Sequence, residues 1–152
     1  MASRFWPTCI FAGTLLAVVG AGCTRPAVAA HAPGGIETWE HSHPEAARAL
    51  GGWVHAHPEA ARLFFEWDGH HTERAHAFVT WSIGHPGEGV RAFAAAHPGW
   101  EYFDTIARDH QPAANAFMGW CRRFPEAAEA LMNHPGGLDW AGRHLYAGEW
   151  HP

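Results

Sequence analysis

The sequence predicts an all-α domain built from a degenerate repeat of 14 residues, and three observations carry that prediction. Four tryptophans follow one another at this spacing: Trp39, Trp53, Trp67 and Trp81. The units in register with them open with histidine, at His43, His57 and His71. Apolar residues recur within each unit at helical spacing. Self-similarity at a fixed period is typical of a repeat architecture.

The start of each unit predicts the start of a helix. The first two units, 43–56 and 57–70, open with the letters HPEAAR, and the third, 71–84, opens with HTERAH. Proline is tolerated in the first turn of a helix, where its missing N–H would have no partner. The glutamate that follows it complements the partial positive charge of the helix N-terminus. We therefore expect helices to begin near Pro44, Pro58 and Thr72.

The interior of each unit predicts the core. Positions 5, 8 and 11 of a unit lie on one face of a helix, and they hold alanine, a large apolar residue and tryptophan. A tryptophan at a fixed place on such a stripe is more often a core anchor than a stacking surface for a ligand. The predicted core side chains are Leu50, Trp53, Phe64, Trp67, Phe78, Trp81, Phe117, Trp120 and Leu131.

Weaker copies of the unit continue to the C-terminus. They open at residues 85, 97, 110, 124 and 134, the first of them after a one-residue insertion. We expect about eight helices of 8–11 residues, joined by turns of about three or four residues, because helix interiors exclude proline. Connections this short make consecutive helices antiparallel. A single compact domain is predicted over residues 36–147, followed by a loose tail over 148–152.

The N-terminal segment predicts export. Residues 1–22 combine one arginine, an uncharged apolar run and small residues, which is the pattern of a secretory signal peptide. Residues 19–23 read VGAGC and resemble the lipobox of bacterial lipoproteins. This resemblance covers only that segment and implies that Cys23 is lipidated. Cleavage after Ala29 or Ala30, or retention of the segment as an anchor, are the alternatives, and residues 23–35 are predicted to be a linker.

The composition and the motifs of the chain argue against two classes of function, nucleic-acid binding and catalysis. The chain has ten Lys and Arg residues against fifteen acidic ones, with a formal net charge of −5. Nucleic-acid binding is not expected, because contacts to phosphates need a basic face. No nucleophile motif or phosphate-binding glycine loop is present, so the sequence predicts no enzyme and no cofactor. Cys121 is expected to be a buried, inert thiol.

Fourteen histidines are the unusual chemical resource of this chain. Imidazole suits zinc, copper and nickel, so a transition-metal site in the inter-helix turns is the alternative to a purely structural role for these residues. The candidate ligands are His41, His43, His55, His57, Asp68, His70, His71, Glu73 and His76, with Glu66 beside them. In antiparallel helices, one end would collect His41, His43, His70, His71 and His97. The other end would collect His55, His57, His85, His110 and His134.

These observations lead to one functional expectation. The sequence predicts an exported, lipid-anchored protein of a bacterial cell envelope, whose helical domain is a noncatalytic binding or scaffold module. Its expected contacts are the membrane, through the lipid, and a protein partner in the envelope. The alternative is a transition-metal-binding envelope protein that uses the turn histidines.

Overall fold

The computed structural model describes residues 36–134 and 137–145, and the predictions for residues 1–35 and 148–152 lie outside them. The described residues form nine α-helices, no strand, and belong to one compact unit. The predicted all-α fold is therefore confirmed. The helices are α1 (Ile36–Ser42), α2 (Pro44–Ala56), α3 (Pro58–His70), α4 (Thr72–Gly84), α5 (Val90–Ala96), α6 (Glu101–Asp109), α7 (Gln111–Arg123), α8 (Pro125–Met132) and α9 (Gly137–Leu145).

Four of the helices are longer than the expected 8–11 residues, and five of the connections are shorter than the expected three or four. Four of the helices have 13 residues, so they fill almost the whole unit. A single residue, which we call a hinge, separates neighbouring helices at five places: His43, His57, His71, His110 and Phe124. The expected turns of three or four residues are absent at these places because one residue both ends a helix and begins the next. None of the helices in the described part of the chain is long and apolar enough to cross a bilayer.

The hinge at His57 shows how one residue achieves this. Its backbone torsions, φ −137° and ψ 57°, lie outside the helical region, which agrees with the bias that a following proline imposes. Its N–H donates to the carbonyl of Trp53 at 3.0 Å, and its own carbonyl accepts from the N–H of Ala61 at 2.9 Å. The hinge therefore caps the C-terminus of α2 and the N-terminus of α3 with its own backbone groups.

Phe124 performs the same task without an imidazole. Its torsions are φ −130° and ψ 58°. Its N–H donates to Trp120 and its carbonyl accepts from Ala128, each at 2.9 Å. Its ring lies 6.3 Å from that of Trp120, much as the His57 ring lies 6.1 Å from that of Trp53. The hinge therefore requires the backbone conformation and an aromatic ring, and it does not require histidine chemistry.

The most extensive packing joins helices that are distant along the chain. α3 packs on α9, α4 on α7 and α8, and α2 on α7. The helices α3 and α9 approach each other closely where a Cβ at Gly142 would lie only 2.3 Å from the ring of Phe65. Only a residue without a side chain allows that spacing. Packing between neighbours in sequence, which a stack of helical hairpins would favour, is less extensive.

Three tryptophans of the repeat bind the carbonyl oxygens of distant alanines. The indole N–H of Trp53 donates to the carbonyl of Ala113 at 2.9 Å, and that of Trp120 donates to Ala46 at 2.9 Å. A third bond of 3.0 Å runs from Trp39 to Ala127. Each alanine lies in the first turn of α7, α2 or α8. The first two bonds are reciprocal: α2 donates to α7, and α7 donates to α2.

The structure buries most of the predicted core side chains. Leu50, Phe64, Phe78 and Phe117 are completely inaccessible, whereas Trp81 is only partly buried and packs against the edge of the core. The other predicted core residues, Trp53, Trp67, Trp120 and Leu131, are also buried. Trp81 differs because its helix, α4, keeps one face open to solvent along the groove described below.

Candidate functional site

The predicted metal ligands are dispersed in the structure. Asp68 is completely buried, and its Oδ2 accepts the N–H of Leu138 at 2.9 Å, at the start of α9. Burial raises the pKa of this carboxyl above its ordinary value of 3.8, an effect that outweighs the hydrogen bonds from Leu138 and Asp139. The structure therefore places Asp68, one of the predicted metal ligands, in the core and not at the surface with His70 and His71. A carboxylate that caps a helix inside the core is not available to an ion in solvent.

The remaining candidates separate into two groups and several isolated positions. Glu66, His70 and His71 line one cleft of about 300 Å³ beside the buried Trp67. Glu73 and His76 line a different groove. The other four predicted ligands lie apart from both, at His41, His43, His55 and His57. Across 36–134 and 137–145, no three His, Cys, Asp or Glu side chains are arranged to hold a metal ion.

A second cleft, of about 400 Å³, lies where the first and last hinges meet. It is lined by the α1–α2 hinge around His43 and the α7–α8 hinge around Phe124. The guanidinium of Arg123 lies 5.0 Å from the Phe124 ring centroid and occupies part of this space. The bonds from Trp39 to Ala127 and from Trp120 to Ala46 join the same two segments. We attribute this cleft to the packing of two similar turns.

An open groove of about 620 Å³ runs along α4, and we call it the α4 groove. Its floor is one face of the helix, where residues recur every three or four positions. Its wall is formed by the residues that end α4 and α5. The lining residues are Glu73, His76, Ala77, Thr80, Trp81, Gly84, His85 and His97. Glu73 is the only residue among them that is charged when the histidines are neutral.

Two histidines of the α4 groove have a fixed orientation. Nδ1 of His85 lies 2.9 Å from the carbonyl oxygen of Trp81, and Nδ1 of His97 lies 2.9 Å from that of Phe93. A carbonyl oxygen only accepts hydrogen bonds, so each Nδ1 carries the proton. In the neutral ring Nε2 is then an acceptor. Each side chain thus caps the C-terminus of the preceding helix through Nδ1. The Nε2 atom of each ring takes no part in that bond.

Aromatic contacts hold these two rings. The His85 ring is stacked on Trp81, with centroids 4.4 Å apart and an interplanar angle of 15°. The His97 ring lies 4.1 Å from that of Phe93 and 4.7 Å from that of Trp100. The groove therefore has a planar aromatic wall, in which the exposed His85 ring is stacked on the partly buried ring of Trp81.

Arg122 fixes the backbone on which His85 stands. From α7, its Nε donates to the carbonyl of Ser82 at 2.9 Å, and its Nη2 donates to that of His85 at 3.0 Å. The same nitrogen also contacts the carbonyl of Glu88. One guanidinium thus binds three carbonyl groups at the end of α4 and in the turn after it. The wall of the groove is anchored to the second half of the molecule.

Sequence reasoning missed this site for an identifiable reason. His85 and His97 both open units of the repeat, but the assumption of antiparallel neighbours assigned them to opposite ends of the domain. The structure brings both to one groove. An aromatic residue lies four positions before each of these histidines, and residues at this spacing meet on a helix surface. The same spacing precedes His43, His57 and His71, so it predicts the ring contact but does not identify the groove.

Cys121 does not contribute to any of these sites. Its side chain is completely buried among the apolar residues of α7. Burial raises the pKa of the thiol far above its ordinary value, and a neutral thiol is a poor nucleophile and a poor metal ligand.

Comparisons with protein-family models, with curated proteins and with solved structures found no match for this chain.

Proposed function

We propose that this chain is an exported, lipid-anchored protein of a bacterial envelope, and that its helical domain is a noncatalytic binding module. The observation that supports binding is the α4 groove. Its polar groups, at Glu73, Thr80 and Nε2 of His85, form none of the bonds that hold the helices together. Concave surfaces that combine an aromatic wall with a few oriented polar groups are typical of ligand sites.

The support for export and anchoring comes from the N-terminal sequence. The pattern of residues 1–22 and the lipobox-like residues 19–23 place Cys23 where a lipid would be attached. We expect the Cys23→Ala variant to leave the membrane fraction when cells that express the chain are fractionated, because the attached lipid is the proposed anchor. The matched control is Cys9→Ala, which changes a cysteine within the proposed signal. A Cys23→Ala protein that fractionates like the original chain would contradict lipid anchoring.

The binding role has a separate test. A photo-reactive amino acid at Thr80, an exposed residue on the floor of the α4 groove, should capture a discrete adduct in intact cells. The same group at Ala116, an exposed residue of α7 outside the groove, is the control. The mass of the adduct reports whether the captured species is a protein or a glycan. Equal labelling from both positions, or none from Thr80, would overturn the proposal.

A second candidate function is the binding of a transition metal at the cleft beside Trp67. The observation that favours it is that Glu66, His70 and His71, three of the expected ligands, line the same cleft, although their side chains would have to move to hold one ion together. Glu66 is engaged in an exposed ion pair with Arg62 at 2.8 Å, so a metal would have to replace that contact. Titration of the untagged protein with zinc, copper and nickel tests this function. A site in the folded state raises Tm at a defined stoichiometry, and uptake without either would exclude it.

A further inference from the structure

We infer that the α4 groove takes an uncharged, hydroxyl-rich ligand of the oligosaccharide class. This inference rests on the proposed binding function and specifies its ligand. It follows from three properties of the groove: the kind of hydrogen-bonding groups it presents, the charge of its lining, and its shape.

The groove presents more acceptors than donors. Because Nδ1 of His85 and of His97 each donates to a backbone carbonyl, the neutral imidazoles present Nε2 as an acceptor. The carboxylate of Glu73 only accepts, the hydroxyl of Thr80 can do either, and the imidazole of His76, which also lines the groove, offers one donor and one acceptor when neutral. A ligand that satisfies this lining must be rich in donors, as the hydroxyl groups of a sugar are.

Cationic ligands are also rich in hydrogen-bond donors, but the charge of the groove lining does not favour them. Among the lining residues Glu73 is the only carboxylate, and its charge is exposed to solvent, where a single ion pair contributes little to affinity. A polyamine or a basic peptide would meet a single carboxylate, because no other lining group carries a negative charge. The lining therefore favours an uncharged ligand.

The shape of the groove agrees with a short polymer that has an apolar face. The floor runs from Glu73 to Gly84, which corresponds to about 16 Å along the helix axis. Ala77 and Gly84 have small or no side chains, so they do not project from this floor into the groove. The wall carries the His85 ring stacked on Trp81, a flat aromatic surface on which the C–H face of a pyranose ring can lie.

The chain itself indicates that the acceptors can be removed while the backbone cap and an aromatic ring remain, although the bonds from Nδ1 of His85 and His97 are lost with them. Phe124 occupies a position equivalent to that of His85, with its N–H bonded to the carbonyl four residues earlier and its ring against a tryptophan. The double variant His85→Phe/His97→Phe should therefore fold and keep an aromatic wall, but it lacks both Nε2 acceptors. The matched control is His57→Phe, the same change at a hinge outside the groove.

The experiment is isothermal titration of the full chain, held in a detergent without a sugar headgroup, with chitotetraose and with maltotetraose. We expect saturable binding of at least one tetrasaccharide. The double variant should bind it roughly tenfold more weakly, because two hydrogen bonds are lost, while the affinity of His57→Phe should be unchanged. Far-UV circular dichroism checks that all three proteins have the same helix content.

Two results would overturn the inference: neither tetrasaccharide binds, or the double variant binds as well as the original chain. Parallel titrations with spermidine and with tetra-alanine then show whether the groove binds a ligand of another chemical class or binds no ligand at all. If either of these ligands binds and the double variant changes that binding, the groove is a ligand site of another chemical class. If no probe binds and the photo-reactive group at Thr80 captures nothing, the binding function itself is wrong.

Discussion

The tryptophan at position 11 of each repeat unit acts through its ring and also through its indole N–H. In Trp53 and Trp120 the ring is buried, and the N–H crosses to an alanine carbonyl in the opposite half of the molecule. Trp67 has the same place in its unit, but its Nε1 is buried without a hydrogen-bond partner. It packs against Trp100 and Phe103 instead. Equivalent residues of the repeat therefore differ in what they contribute.

This difference can be measured with one substitution at two positions. Trp53→Phe removes a buried donor that binds Ala113, whereas Trp67→Phe removes a donor that binds nothing. Both variants lose a similar ring volume. We expect Trp53→Phe to lower the free energy of unfolding by about 1–2 kcal/mol more than Trp67→Phe does. Urea denaturation of the two variants measures the difference, and equal losses would show that the indole bonds do not stabilise the fold.

Asp68 is a buried acid that caps a helix from outside that helix. Its Oδ2 binds the N–H of Leu138 at the start of α9, where the partial positive charge of the helix favours an anion. Its Oδ1 is buried without a partner. Desolvation is the larger effect and raises its pKa, so the folded protein binds this proton more tightly than the unfolded chain does.

That raised pKa predicts the sign of a pH effect. As pH rises above the ordinary value of about 3.8, the unfolded chain loses the proton first, and the folded state loses stability until Asp68 ionises there too. The Asp68→Asn variant keeps an oxygen that can accept the Leu138 N–H but does not titrate. Relative to this variant, the original chain should become less stable as pH rises through this window. Denaturation of both proteins at several pH values is the measurement, and a constant difference would contradict the prediction.

Among the elements, the helix starts were the most predictable part of the fold. Pro44, Pro58 and Thr72 begin α2, α3 and α4 as expected, because proline and glutamate act within the first turn of their own helix. The connections were not predictable in the same way. A single hinge residue is stable only when the helices on both sides pack elsewhere, and that packing depends on residues far away in sequence.

The pairing of α3 with α9 illustrates the same limit. Nothing near Gly142 in sequence distinguishes it from other glycines, yet it lies against Phe65. The burial of Asp68 escaped sequence analysis for the same reason, because its bond to Leu138 joins residues 70 positions apart. The α4 groove also escaped sequence analysis, since it depends on how α4 and α5 meet at their C-terminal ends.

Two glycines test the importance of the α3–α9 contact. Gly142→Ala places a Cβ 2.3 Å from the Phe65 ring, so α9 must move, and we expect a loss of about 1–3 kcal/mol in the free energy of unfolding. Gly119→Ala is the control, because a Cβ at this exposed position in α7 meets nothing within 4 Å. It should gain about 0.5–1 kcal/mol from helix propensity. Thermal denaturation separates the two, and a neutral Gly142→Ala would show that the contact is adaptable.

At the scale of the whole molecule, stability comes from contacts between its two halves. Helices of 7–13 residues are marginal in water on their own. The bonds from tryptophan to alanine join residues separated by 60 to 88 positions. Arg122 likewise binds the end of α4 from α7. The helices α2, α3, α4, α7, α8 and α9 therefore pack most extensively on helices that are distant along the chain.

This arrangement predicts a single cooperative unfolding transition. Far-UV circular dichroism, which reports helix content, and near-UV circular dichroism, which reports the packing of the tryptophans, should change with the same midpoint in urea. An open array of repeats would instead lose its ends first. Midpoints that differ between the two signals would show that part of the helical structure persists without the core.

The single-residue hinge also limits how the length of this chain can change during evolution. One residue inserted into a helix rotates everything after it by about 100° and advances it by about 1.5 Å. Hinges such as His57 and Phe124 leave no loop that could absorb such a change. Insertions and deletions should therefore be tolerated only in the longer connections, at 85–89, 97–100 and 133–136. Homologous chains that conserve the fold should vary in length there and keep the spacing of 43–84 unchanged.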